Sequence, residues 1–296
     1  MIYKIAIGDT LECIFTSDLH GDRKKYERLF EFIQKERPDG VFIGGDILPS
    51  ALKKNTDVEN FLKNFLKQQL EIVDESLEDR VRIFMIMGND DPRAYEKILK
   101  DIEKEDLLEY MHNSTKKFGD LYVSGYSFIP PSPFRLKDWE RYDVSRHVGV
   151  GSISPENGTR TVEISEYEKQ YKTIEDDLKS LSKKSPPEKT IYLFHAPPYE
   201  TSLDRADLDG KKVDHAPVDV HVGSIAIKRF IEEKKPYITL HGHVHETVDI
   251  TGNWKEKIER SFSFSGVHNS SELALVKFDT DEPGEATRTL IDVEEK

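Results

Sequence analysis

Five short polar motifs each stand directly behind an apolar run of strand length, and this repeated coupling constrains the chain more than any other feature. The motifs are Ser17-Asp18-Leu19-His20-Gly21, Gly44-Gly45-Asp46, Gly88-Asn89-Asp90-Asp91, Phe194-His195-Ala196-Pro197-Pro198 and His241-Gly242-His243-Val244-His245. The runs before them span 11–16, 40–43, 81–87, 190–194 and 237–240. Continuous apolar runs of this length fit strands covered on both faces. In sheets of that kind the carboxyl ends of the strands gather on one rim, where ligands bind. Five separate loops would therefore bring Asp18, His20, Asp46, Asn89, His195, His243 and His245 around one point.

Between these runs lie amphipathic stretches with the helical period. Residues 23–35 place Tyr26, Leu29, Phe30 and Ile33 on one face, and 58–73 repeat the pattern through Phe61, Leu62, Phe65, Leu66 and Leu70. Further helices are predicted at 92–99, 163–184 and 224–234, and further strands at 121–125, 247–250, 260–265 and 273–278. Alternating strands and helices, followed by a strand-rich tail, predict an α/β fold with packed sheets. Asp22 is expected to cap the first helix. Asp91-Pro92 reads as another helix cap with proline in the first turn.

No composition break forces a second domain, so 1–296 reads as one domain. Residues 129–162 depart from the pattern, being rich in proline and glycine with little periodicity. They read as an insertion, either a lid or an exposed loop. As a lid, its arginines Arg135 and Arg141 would meet a substrate phosphate, and its aromatics would stack on a base or ring. The polar stretch 199–222 reads as a solvated rim.

The formal net charge is −13. Such a surface repels phosphate backbones, so long nucleic acid is not the expected partner. A small phosphorylated substrate is compatible, because bound cations reverse the local field at a site. Cys13 is the sole cysteine. It sits in an apolar run and reads as a buried side chain in a protein of the reducing cytoplasm. No stretch approaches the roughly 18 apolar residues of a membrane span. Lys4, Asp9 and Glu12 interrupt the N-terminal stretch, which does not read as a signal peptide.

The clustered side chains are oxygen and nitrogen donors without a thiolate, a set suited to Mn, Fe, Zn or Co. In Asp18-x-His20 and His243-x-His245 the alternation lets two side chains approach neighbouring ions from one side of the backbone. Each motif alone has an ordinary explanation as turn chemistry. All five in this order, each behind a strand, do not.

Taken together, the motifs resemble those of the calcineurin-like metallophosphoesterases: Asp-x-His, Gly-Asp, Gly-Asn-His-Asp/Glu, His and Gly-His-x-His. The resemblance runs from about residue 15 to 245, and 203–246 looks like a prokaryotic subgroup of phosphohydrolases. It implies a four-layer α/β/β/α sandwich of two mixed sheets flanked by helices. It also implies two divalent metal ions. Asp18, His20, Asp46 and His245 would hold one, and Asp46, Asn89, His195 and His243 the other, with Asp46 shared. Asn89 would also contact substrate.

The resemblance breaks at Asp90, where the family carries histidine. A carboxylate beside two cations has a lowered pKa and is a poor general acid near neutral pH. Three readings follow: Asp90 is a metal-shell or water-orienting residue with the proton supplied elsewhere, the substrate's leaving group needs no proton, or activity is weak or lost. Among His112, His147, His221 and His241, the first choice is His221, because its loop leads back toward the motifs. The expected activity is hydrolysis of a phosphoester, with diester ahead of monoester and a small, nucleotide-like substrate. The rival is a metal-binding scaffold without turnover. A homodimer is compatible with either.

Overall fold

The protein is described by a computed structural model covering residues 10–50, 57–78 and 80–294. Lys4 and Asp9, used above to read the N-terminal stretch, lie outside these residues. The strands in chain order are β1 (Glu12–Thr16), β2 (Gly40–Gly44), β3 (Arg82–Ile86), β4 (Glu109–Tyr110), β5 (Thr115–Phe118), β6 (Leu121–Tyr126), β7 (Thr190–Phe194), β8 (Lys212–Val213), β9 (Ala216–Pro217), β10 (Ile238–His241), β11 (Lys255–Ile258), β12 (Ser261–Ser265), β13 (Leu273–Asp279) and β14 (Thr287–Ile291). The α-helices are α1 (Arg23–Glu36), α2 (Val58–Asn60), α3 (Lys67–Ser76), α4 (Glu96–Glu103), α5 (Glu166–Tyr171), α6 (Ile174–Leu181), α7 (Ile225–Lys234) and α8 (Thr247–Thr251).

Two six-stranded sheets result, in the orders β14-β13-β1-β2-β3-β4 and β11-β12-β10-β7-β6-β5. The first has antiparallel strands at one margin, β13 and β14, with parallel pairing through to β4, and the second has a parallel centre with antiparallel strands β11 and β5 at its two margins. Strand alternation explains the layers. Cys13, Phe15, Phe42, Phe84 and Ile86 pack against Ile191, Leu193, Ile238, Leu240 and Phe264 between the sheets. Residues of the opposite parity, Ile14, Val41, Ile43, Ile83, Met85, Tyr192 and Phe194, meet the helices outside. The architecture is thus the four-layer sandwich expected, with helices on both outer faces. Phe42 and Phe84 stack with ring centroids 5.1 Å apart, and both side chains are fully buried. Cys13 is buried as expected.

Several boundaries differ from the sequence reading. The expected helix over 58–73 contains a π-helical segment at Phe61–Leu66, which keeps Phe61, Leu62, Phe65 and Leu66 buried. The expected single helix over 163–184 is two helices, because Thr173 turns extended and caps α6 by accepting from the Asp176 N–H at 3.1 Å. Residues 247–250 form the start of α8 rather than a strand. Their β-branched side chains suggested a strand, but Thr247 Oγ1 donates to the Ser202 carbonyl and Gly252, at φ 72°, closes the turn. Asp22 caps α1 as expected, accepting from Lys24 N–H at 2.9 Å.

Asp91 caps no helix. Its buried carboxylate accepts from Gly88 N–H at 2.8 Å, Ile47 N–H at 3.0 Å and Leu48 N–H at 2.8 Å. It ties the β2 loop to the β3 loop. Among the described residues, no helix is long and apolar enough to cross a membrane.

Candidate metal centre

The loops after β1, β2, β3, β7 and β10 meet on one rim. Backbone bonds fasten the first two together: Asp18 N–H to Gly45 C=O at 3.0 Å, and His20 N–H to Asp46 C=O at 2.7 Å. Four of the converging residues stand in the left-handed region, Asp18 at φ 60°, His20 at 46°, Asp46 at 49° and His243 at 77°. Each non-glycine residue held there costs about 1–3 kcal/mol. The surrounding bonds hold this strain, and it turns the side chains inward. Close approach explains two glycines. A Cβ on Gly88 would lie 2.3 Å from Asp46 Oδ1, and one on Gly242 would lie 2.6 Å from Asp18 Oδ2.

Donor atoms of Asp18, His20, Asp46 and His245 all lie within 4.8 Å of one another. His245 Nε2 is 3.0 Å from Asp18 Oδ1 and 3.1 Å from His20 Nε2. Beside this group, His195 Nδ1 donates to the Gly44 carbonyl at 2.8 Å. Its Nε2 then faces Asn89 Oδ1 at 3.0 Å and Asp46 Oδ2 at 3.4 Å. The His243 ring centroid is 5.3 Å from that of His195. All seven motif side chains therefore gather, and Asp46 touches both groups.

The charges suit a cation. Burial pushes the Asp18 carboxyl up, but the His245 hydrogen bond and the charges of His195, His245 and His20 outweigh it and leave it well below the usual range. Burial works against a charged His195, yet Asp46 and then Asp18 raise it to about 10. A proton on Nε2 thus stands where lone pairs of Asn89, Asp46 and His195 converge. Burial and the neighbouring His195 hold His243 down at about 4, a neutral imidazole with a lone pair to give. Converging acceptors, a neutral imidazole and a proton held by two carboxylates are what a divalent cation replaces. The residues fit the group.

A cleft of about 570 Å³ opens from this floor. Asp46, Asn89, Asp90, His243 and His245 lie at its base. One wall comes from the segment after β6, including Pro131, Phe134 and Val150, and the other from the loop after β7, including Leu208, Val218 and His221. His221 Nδ1 bonds Asp204 Oδ1 at 2.8 Å. Asp204 is fully buried and also accepts from Glu200, Thr201 and Gly223 N–H groups. Asp90 is half exposed, and its Oδ1 accepts from the Asn89 amide at 2.8 Å. From the protein's own groups, burial and then Asp46 raise its carboxyl.

Other residues singled out in the sequence lie elsewhere. Neither Arg135 nor Arg141 is among the residues lining the cleft. Arg141 is buried, pairs with Asp177 and Glu168, and lies over the Phe128 ring at 4.1 Å. His241 is buried between the Ala196 carbonyl and the Thr239 hydroxyl. His112 is packed against Trp139 and bonded to Ser127 N–H. His147 lines the cleft. The apolar wall residues were not singled out in the sequence. They are scattered over two loops without a period that could have marked them.

A profile of the calcineurin-like phosphoesterases matches residues 12–247. An uncharacterized protein of Methanocaldococcus jannaschii, MJ1162, is 41% identical over 70 residues, which cover 22% of this chain and 28% of that one. The chain thus matches less than a third of that relative. TT1561 of Thermus thermophilus has a similar fold, at a TM-score of 0.58 and 16% identity, over 96% of this chain and 100% of that one. A dimetal phosphatase from Danio rerio aligns at a TM-score of 0.45 and 12% identity, over 96% and 99% of the two chains.

Proposed function

Because the chain belongs to the calcineurin-like phosphoesterase family, we propose that it hydrolyses a phosphoester, a diester in preference to a monoester, at the rim where the five loops meet. The observation that carries this is the approach of Asp18, His20, Asp46 and His245 donor atoms to within 4.8 Å, with His195, Asn89 and His243 alongside. Asp18, His20, Asp46 and His245 would hold one divalent cation, and Asp46, Asn89, His195 and His243 a second. When bound, such a pair lowers the pKa of water and offsets charge on phosphoryl oxygens.

The protein's own groups do the rest. Asn89 orients a phosphoryl oxygen at the base of the cleft. Asp90 orients the attacking water and passes its proton toward solvent. Water oxygen joins phosphorus as the ester P–O bond breaks. His221, its Nδ1–H held by Asp204, gives the departing alkoxide its proton from Nε2. We read residues 1–296 as one phosphoesterase domain in which the 129–162 insertion walls the substrate site.

The test is turnover of bis- and mono-nitrophenyl phosphate with Mn. Loss of all activity in Asp46→Ala, with turnover that survives at reduced kcat in Asp90→Ala, supports this assignment and denies Asp90 an essential acid role. A fully metallated protein inert toward both esters and toward a wider phosphoester panel sinks it and leaves the scaffold reading.

A further inference from the structure

The cleft walls carry no lysine or arginine among the described residues. A substrate with a second phosphate would find no lysine or arginine to pair with it there, and would meet Asp219 and Glu246. The surface the walls offer is apolar: Pro131, Phe134, Val150, Leu208, Val218 and Val222. Several polar groups of the walls are already engaged: Ser132 Oγ donates to Glu140 at 2.5 Å, Tyr199 donates to Asp219 at 2.6 Å, and His221 Nδ1 is held by Asp204. A sugar or base laid against the apolar side chains would leave its own donors and acceptors unpaired there, which lowers affinity.

The rim extends the same character. Phe134 is 55% exposed and Val150 42% exposed, and both line the cleft. At the tip the two walls approach each other, since a Cβ on Gly151 would lie 3.1 Å from Val213 Cγ2. These apolar residues thus line the same cleft as Asp46, Asn89 and His243, where a phosphoryl group would sit.

We propose that the substrate is a singly phosphorylated ester whose other group is a neutral, apolar alcohol, an alkyl or aryl chain lying between Phe134 and Val218, rather than a nucleotide. This rests on the phosphoesterase reading for the position of the phosphoryl group. It replaces the nucleotide-like substrate expected from the sequence.

Calorimetry on the Mn-loaded protein tests it with n-octylphosphonate, methylphosphonate, adenosine 5′-monophosphate and phosphocholine. Two fully buried methylenes already give about a tenfold gain, so the octyl compound should bind at least tenfold tighter than the methyl one. Phe134→Ser combined with Val218→Ser should collapse that ratio to within about threefold. Equal binding of the two phosphonates overturns the inference, as does tighter binding of the nucleotide or of phosphocholine. Turnover of p-nitrophenyl octyl and p-nitrophenyl methyl phosphate separates the two readings. An octyl binding preference without turnover of either ester supports the apolar cleft and removes the hydrolase. Turnover of both at equal kcat/KM, without a binding preference, does the reverse.

Discussion

The indole Nε1–H of Trp139 donates to the backbone carbonyl of Asp91 at 2.9 Å. Trp139 is fully buried, and its neighbour along the chain, Glu140, pairs with Lys137 beneath Ser132. One wall of the cleft is thus fastened to the turn that carries Asn89 and Asp90. The carboxylate of Asp91 fastens the same turn to Ile47 and Leu48. Three loops share this one residue.

Removing the Asp91 carboxylate should therefore loosen fold and site together. Asp91→Ala leaves three buried N–H groups without an acceptor, at about 1–3 kcal/mol each. Urea denaturation should show a loss of roughly 3–5 kcal/mol, the range seen when a buried network is broken. Asp91→Asn retains one acceptor oxygen and should lose less. A loss below about 1 kcal/mol in the alanine variant would show that water replaces the carboxylate and that the clamp is not structural.

Metal binding should release a proton. His195 is held protonated up to about 10 by Asp46 and Asp18, against its own burial. A cation at Nε2 must displace that proton. Titrating Mn into chelator-treated protein at pH 8, in buffers of different ionisation enthalpy, should give a buffer-dependent heat corresponding to about one proton. Asp46→Ala should abolish the binding isotherm. Heats independent of buffer would mean that the His195 nitrogen is already unprotonated, or that it does not hold the ion.

His221 should matter according to the leaving group. A nitrophenolate leaves without a proton, whereas an alkoxide needs one. Replacing a general acid typically costs 10²–10⁴-fold. His221→Ala should therefore lower kcat on alkyl esters by about a hundredfold or more, and on nitrophenyl esters far less. Asp204→Asn should show the same split in milder form, because Asp204 reaches the ester only through the His221 ring. Equal losses on both ester classes would make His221 a binding group and return the acid role to another residue.

How much of this was legible depended on burial. Strands such as β2 and β7 are buried residue after residue, so their apolar runs stood out in the sequence. The motif residues follow those strands directly, and the rim geometry gathers them. The marginal strands β11 and β14 are mostly charged or threonine residues at exposed or partly exposed positions and gave no comparable signal. Asp91 looked like a helix cap because Asp-Pro is a capping pair. Two of its three partners lie 43 and 44 residues away in the chain. The cleft walls were illegible for a similar reason. Phe134 and Val218 acquire meaning only when two aperiodic loops face each other.

Acid should weaken the metal-free protein through His241. Its ring is fully buried, with Nδ1 donating to Ala196 and Nε2 bonded to Thr239. Burial holds it at about 4, and the Ala196 bond opposes that only in part. The folded pKa lies below the unfolded value of about 6.5. Neutral His241 thus contributes fully above pH 6.5, and the contribution fades as pH falls toward 4. Linkage puts the full loss on the order of 3 kcal/mol. Urea midpoints with chelator present should drop between pH 7 and 4.5, and the drop should be smaller in His241→Gln, where no group titrates. Parallel pH profiles for the two proteins would place the acid sensitivity in other groups, with the exposed carboxylates first among them.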